Sequence, residues 1–186
     1  MLFYIKRFIR LEIAVIVLLG AAGYWGMPDE NWPLSLDPPV VTIALGIAGA
    51  LWLTLWTLMI QLGYAVTKGK AYTIQLTASL AREFADAGPV QMALGGLTAC
   101  AEEIFFRGFL QHTFGLIPAS LLFMLAHFGK RDIRVISFWS FFQGLYLGLF
   151  LIWSDNLLVP MIAHGLFDIG GMLYFRFFMA RQETPA

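Results

Sequence analysis

Six long apolar stretches, separated by short polar connections, organise the 186-residue chain. They span residues 11–26, 40–66, 90–110, 116–128, 135–153 and 157–178. A bilayer core of about 30 Å requires roughly 20 apolar residues per helix, so most of these stretches have the length of a membrane span. The pattern predicts an all-α polytopic membrane helix bundle with about six transmembrane segments. It would occupy residues 1–186 as a single integral membrane domain.

The connection at residues 67–89 is polar enough to form an amphipathic helix on the membrane surface. Residues 1–89 are therefore predicted to contain two N-terminal spans and an amphipathic connector. The fourth apolar stretch differs from the others because its 13 or so residues rise only about 20 Å as a helix. We expect its cytoplasmic end to lie within a water-filled funnel lined by other helices.

Basic residues fall on one side of the predicted bundle, and cytoplasmic loops retain Lys and Arg. With six spans, that side carries Lys6, Arg7, Arg10, Lys68, Lys70, Arg82, Lys130, Arg131, Arg134, Arg176 and Arg181. The opposite loops carry Asp29, Glu30, Asp37 and Asp155. Both termini are therefore predicted to be cytoplasmic.

Composition agrees with a membrane protein, since 59% of the residues are hydrophobic and only 13% are charged. Twelve basic and twelve acidic residues cancel, which argues against a nucleic-acid partner because such binding relies on clustered positive charge. The single cysteine, Cys100, excludes an intrachain disulfide and a multi-cysteine zinc site.

Three ionisable residues interrupt the third apolar stretch: Glu102, Glu103 and Arg107. Each charge costs on the order of 3 kcal/mol to insert into a bilayer, so structural convenience does not explain them. Glu103 and Arg107 are four residues apart and share one helix face, which favours an ion pair that locks the helix. Glu102 is rotated by about 100° from Glu103 and needs a partner from another helix.

Candidate partners for Glu102 are His127, at the end of the fourth stretch, and the pair His164 and Asp168 on one face of the sixth. Helical rise places Glu102 roughly 18 Å from the cytoplasmic start of its helix and His164 roughly 10 Å from the opposite end of its own. In a core of about 30 Å these depths nearly coincide. His127 reaches a similar depth if its helix starts near the outer surface.

A carboxylate and two imidazoles at one depth, near water but surrounded by hydrocarbon, can activate a water molecule for hydrolysis. The same trio, Glu102, His127 and His164, could instead hold a catalytic zinc ion with an open coordination position. The spacing of these residues leaves both possibilities open. It also leaves open a proton relay in a membrane carrier, which uses buried Glu, His and Asp residues on neighbouring helices.

Three ordered motifs, each in its own apolar stretch, resemble those of the CAAX protease and bacteriocin-processing (CPBP, or Abi) family of intramembrane endopeptidases. They are Glu102-Glu103-x-x-x-Arg107, Phe123-x-x-x-His127 and His164-x-x-x-Asp168. The resemblance covers residues 90 to about 171, so residues 90–179 are expected to form the catalytic helical core. It implies a multi-pass protein of a bacterial cytoplasmic (inner) membrane that cleaves a membrane-embedded or lipidated peptide.

The resemblance also implies roles for individual residues. Glu102 and His127 would hold and activate the attacking water, while His164 and Asp168 would stabilise the oxyanion. Glu103, Arg107 and Phe123 would be structural support. The family has been described both as metal-dependent and as glutamate-type, so the cofactor stays open between zinc and none.

Position 168 departs from the family pattern, in which Asn is frequent. An ionised Asp168 accepts hydrogen bonds but cannot donate them, and it would repel an oxyanion. Either Asp168 is protonated within its apolar site or it orients His164. Beside catalysis, simpler interpretations remain: His127 as an interfacial residue, His164 with Asp168 as a helix-packing pair, and the chain as an inactive membrane scaffold or immunity protein.

Overall fold

The computed structural model describes residues 2–27, 34–67, 84, 87–128 and 134–176, and this part of the chain contains helices and no strand. The six helices are α1 (Leu2–Gly26), α2 (Pro39–Thr67), α3 (Pro89–Glu103), α4 (Leu116–Ala126), α5 (Arg134–Ser154) and α6 (Leu158–Tyr174). A π-helix, Ile104–Gln111, and one further turn, His112–Phe114, continue α3. The all-α prediction is confirmed.

Two helices, α1 and α2, are long and apolar enough to cross a membrane, while Leu116–Ala126, Phe138–Ser154 and Leu158–Tyr174 are shorter apolar helices. The predicted number of six spans therefore stays a prediction. So does the cytoplasmic location of both termini, because residues 1 and 177–186 lie outside the described residues. The same holds for most of the predicted amphipathic segment at 67–89.

Close contacts show that α1 runs parallel to α3. Glu12 meets Thr98 of α3, and Gly26, further along α1, lies against the ring of Phe109 in the π-helix that continues α3. The two helices are therefore in register along their length, and Glu12 lies beside α3 within the bundle.

Gly23 makes the tightest backbone contact between α1 and the π-helix. A Cβ atom added there would lie 2.9 Å from the backbone of Ile104 and of Phe105, which cannot rotate away as a side chain could. We expect Gly23→Ala to lower the free energy of unfolding by about 1–3 kcal/mol. Thermal unfolding in detergent would measure this loss.

Gly20 supplies the matched control for that substitution, because it lies on the same helix and an added Cβ would meet nothing within 4 Å. Gly20→Ala should leave stability unchanged or raise it slightly, since Ala favours a helix over Gly by about 1 kcal/mol. Equal losses in the two variants would contradict the close packing of α1 against the π-helix.

The antiparallel pair of α3 and α6 forms the part of the bundle that positions the polar residues. Small residues allow the approach: Gly95 lies against Met172, Gly96 against Ile169, and Gly165 near the backbone of Gly96. Two turns further along α3, this packing brings its end beside the middle of α6. The acidic residues of α3 consequently face His164.

Helices α4 and α5 form a second antiparallel pair, in which Gly144 packs on the backbone of Ser120. Gly115, with a φ of 88°, turns the chain between the π-helix and α4, a conformation that glycine adopts without steric cost. This turn folds α4 back along the π-helix. Phe123 of α4 thereby reaches Phe106, with ring centroids 5.0 Å apart.

Candidate active site

Glu103 lies at the centre of a buried polar cluster. Its Oε1 atom is 2.8 Å from His164 Nδ1, and its Oε2 atom is 3.2 Å from Arg107 Nε. The Arg107 contact lacks hydrogen-bond alignment, so this pair is mainly electrostatic. The predicted contact between Glu103 and Arg107 is therefore present, and Glu103 also bridges to α6, which the sequence did not reveal.

His164 divides its two ring nitrogens between different partners. Because the Glu103 carboxylate accepts, Nδ1 carries the proton of that hydrogen bond when Glu103 is ionised. Nε2 points to the other side, 4.0 Å from Glu102 Oε2 and 3.6 Å from Asp168 Oδ2. Both separations exceed a direct hydrogen bond and fit contacts made through a shared water or substrate atom. Glu102 and His164, for which similar depths were predicted, thus lie near each other, and their depth in a bilayer stays a prediction.

His127 closes the fourth helix and belongs to the same cluster through Phe123. Its Nδ1 atom is 2.8 Å from the backbone oxygen of Phe123, so Nδ1 donates and the neutral ring carries its lone pair on Nε2. The Phe123 ring lies 4.5 Å from the His127 ring and 5.8 Å from the His164 ring. Phe123 thus contacts both imidazoles.

Arg107 stacks on the ring of Phe123. Its guanidinium carbon is 4.5 Å from the Phe123 ring centroid, a distance at which a cation is attracted to the face of an aromatic ring. The Glu103 carboxylate and the Phe123 ring together lower the cost of burying the Arg107 guanidinium, which is only 1% exposed. This packing agrees with structural support as the expected role of Arg107 and Phe123, a role that stays a prediction.

Solvent exposure separates the ionisable residues into two groups. The side chains of Glu103, Arg107 and His164 are 0%, 1% and 3% exposed. Glu102 is 16% exposed and Asp168 34% exposed. Glu102 and Asp168 therefore lie at the partly exposed edge of the cluster, whereas His164 and the Glu103–Arg107 pair are enclosed by protein.

A metal site requires three or more protein ligands that converge on one point. Within the described ranges, no group of three His, Cys, Asp or Glu side chains has that arrangement. The trio considered for zinc, Glu102, His127 and His164, does not form a ligand set as these side chains lie.

Comparison with known proteins supports the interpretation of the motifs. Residues 87–170 match the family model described as "Type II CAAX prenyl endopeptidase Rce1-like", and this range contains all three motifs. The match confirms the resemblance to the CAAX protease family.

One curated relative is the uncharacterized protein YpbD of Bacillus subtilis (strain 168), which is 40% identical over 92 residues. The shared region covers 47% of this chain and 46% of the relative, so the similarity spans about half of each. No solved structure matches the chain.

Proposed function

Because residues 87–170 match the family model of Rce1-like type II CAAX prenyl endopeptidases, we propose that this protein is an intramembrane endopeptidase. The observation that carries the proposal is the position of Glu102. Its partly exposed carboxylate lies 4.0 Å from His164 Nε2, at the edge of a cluster that is otherwise buried. This arrangement offers a base and a donor to one substrate-accessible point.

In the proposed reaction, Glu102 takes one proton from a water molecule, while the remaining O–H of that water donates a hydrogen bond to the lone pair of His127. The water oxygen bonds to the carbonyl carbon of the peptide, and the carbonyl electrons move onto oxygen. When the intermediate collapses, the C–N bond breaks and Glu102 returns its proton to the leaving nitrogen. These steps use only water and side chains of the protein.

His164 is the proposed donor to the oxyanion. Glu103 Oε1 accepts the hydrogen bond from His164 Nδ1, and the two atoms are 2.8 Å apart. A second proton, on Nε2, makes an imidazolium whose Nε2–H points to the substrate side. Glu103 therefore orients His164, which is one of the two roles considered for Asp168. The other role considered for Asp168 then remains: in its protonated form it would donate a hydrogen bond to the oxyanion. Its Oδ2 atom lies 3.6 Å from His164 Nε2.

Asp168→Asn tests this assignment, because an amide donates a hydrogen bond without needing to be protonated. We expect kcat within about threefold of wild type for Asp168→Asn, and a loss of about a hundredfold for the similarly sized Asp168→Leu. Steady-state cleavage kinetics would measure both. Equal losses in the two variants would show that the carboxylate itself is required.

The proposed setting is a multi-pass arrangement in a bacterial cytoplasmic membrane. Many large apolar side chains on α1 and α2 are exposed, including Leu18 and Leu51, as expected of helices solvated by lipid. Tyr24 and Trp25, which end α1, and Trp153, near the end of α5, are also exposed, and such residues favour the membrane interface. The substrate would be a membrane-embedded or lipidated peptide.

Cleavage by purified protein in liposomes tests the function. A single-span or lipid-anchored peptide should yield two fragments, detected by mass spectrometry, with and without a chelator. Proton-coupled flux without cleavage, lost in Glu102→Gln, would instead favour the membrane carrier. Neither cleavage nor flux across a panel of such peptides would favour the inactive scaffold.

A further inference from the structure

Glu12 is an ionisable residue within the apolar part of α1, outside the range that matches the family. Its Oε2 atom accepts a hydrogen bond from Thr98 Oγ1 of α3 at 2.5 Å. The proposed reaction leaves this half-buried carboxylate without a role.

A carboxyl group among apolar helices needs polar partners, which are protein groups or water. In the part of the chain that the structure describes, no cationic side chain forms an ion pair with Glu12, and its partner is the neutral hydroxyl of Thr98. Thr98 has one proton to donate and gives it to one carboxylate oxygen. Among the described residues, Thr98 is the hydrogen-bond partner that the structure gives Glu12, so the carboxyl group keeps capacity to bind water.

Thr98 lies one helical turn before Glu102, and residues four apart on a helix have Cβ atoms about 5–6 Å apart. A single water molecule can bridge that distance between polar groups. Since α1 and α3 run parallel from the same end of the bundle, Glu12 and Thr98 lie between that end and Glu102. The seam between α1 and α3 therefore has polar groups on the approach to Glu102.

We propose that Glu12 and Thr98 form a water-holding station through which hydrolytic water reaches Glu102. This inference rests on the proposed function and adds α1 to the elements that serve the reaction. Glu12 and Thr98 are positioning residues, because they act on water rather than on the peptide. Their loss should lower kcat and leave substrate binding unchanged.

Thr98→Val removes the hydroxyl at nearly constant volume. We expect kcat to fall about tenfold with KM within about twofold of wild type, and Thr98→Ser to restore kcat. Glu12→Gln, a second variant, keeps an acceptor for Thr98 but attracts water less strongly, so kcat should fall in this variant too. The control is Thr57→Val on α2, where the hydroxyl donates to the Leu53 carbonyl of its own helix and activity should not change.

Water access is measured independently of cleavage, with the single native thiol removed by Cys100→Ala. In that background Thr98→Cys should react with a water-soluble methanethiosulfonate at least about tenfold faster than Leu97→Cys, because the reactive thiolate forms in water. Leu97 is the matched control, since it is the neighbouring residue on α3 but is 54% exposed on the outer surface of the bundle.

The proposal requires both results. Thr98→Cys that reacts no faster than Leu97→Cys, or Thr98→Val with wild-type kcat, would overturn it. If either of these results occurs while wild type still cleaves and Glu102→Gln does not, the water-holding role is excluded and the peptidase assignment stands. Rapid labelling of Thr98→Cys in a protein that cleaves nothing would instead overturn the peptidase assignment, and with it the role of this water in hydrolysis.

Discussion

Glu102→Gln should lower kcat for peptide cleavage by about a thousandfold, within the range that a general base contributes. Glutamine matches the shape of glutamate but cannot take a proton from water. The fold should persist, because Glu102 makes no direct hydrogen bond to His164 across their 4.0 Å separation. Cleavage kinetics and thermal unfolding on the same preparation would separate the two effects.

The matched control for Glu102→Gln is Asp155→Asn, which also replaces a carboxylate with its amide. Asp155 is exposed between α5 and α6 and has a φ of 48°, a conformation that Asn tolerates well. This variant should retain wild-type kcat and stability. Wild-type cleavage by Glu102→Gln would remove Glu102 from the reaction.

Glu103→Leu should produce the largest loss of stability, about 3–5 kcal/mol, because it leaves Arg107 as a buried charge without its counter-ion. The same substitution removes the acceptor of His164 Nδ1, so cleavage should also be lost. Arg107→Met should cost less, since Glu103 keeps its 2.8 Å contact with His164. Unfolding titrations in mixed detergent micelles would rank the variants.

The double variant Glu103→Leu, Arg107→Met tests whether the pair explains that loss. With both charges replaced by apolar side chains, stability should recover by a few kcal/mol relative to Glu103→Leu alone. Activity should not recover, because His164 still lacks its orienting carboxylate. If the double variant is as unstable as Glu103→Leu, the loss of stability comes from altered packing rather than from the unpaired guanidinium.

Several features of this arrangement follow from local spacing in the sequence. The four-residue separation of Glu103 and Arg107 predicted their contact. Hydrophobic stretches predicted the helices, although α1 begins at Leu2 rather than at residue 11. The similar positions counted from helical rise also agree with the 4.0 Å separation of Glu102 and His164. These inferences succeed because a helix fixes rise and rotation per residue.

Contacts that depend on how helices rotate against one another could not be predicted in this way. Glu103 bridges Arg107 and His164 because glycines bring α3 close to α6, and the π-helix alters the rotation of α3 just after Glu103. The pairing of Glu12 with Thr98 depends on the docking of α1, whose sequence carries no motif of the family. The division into an N-terminal part, 1–89, and a catalytic core, 90–179, stays a prediction.

The central claim is that Glu102 activates water to hydrolyse a peptide bond, and the oxygen atom of that water can be followed. Cleavage in water enriched in oxygen-18 should place one heavy oxygen in the new carboxyl terminus of the product, at a rate about a thousandfold lower in Glu102→Gln. Product without the heavy oxygen, or the same rate of incorporation in Glu102→Gln, would contradict the mechanism.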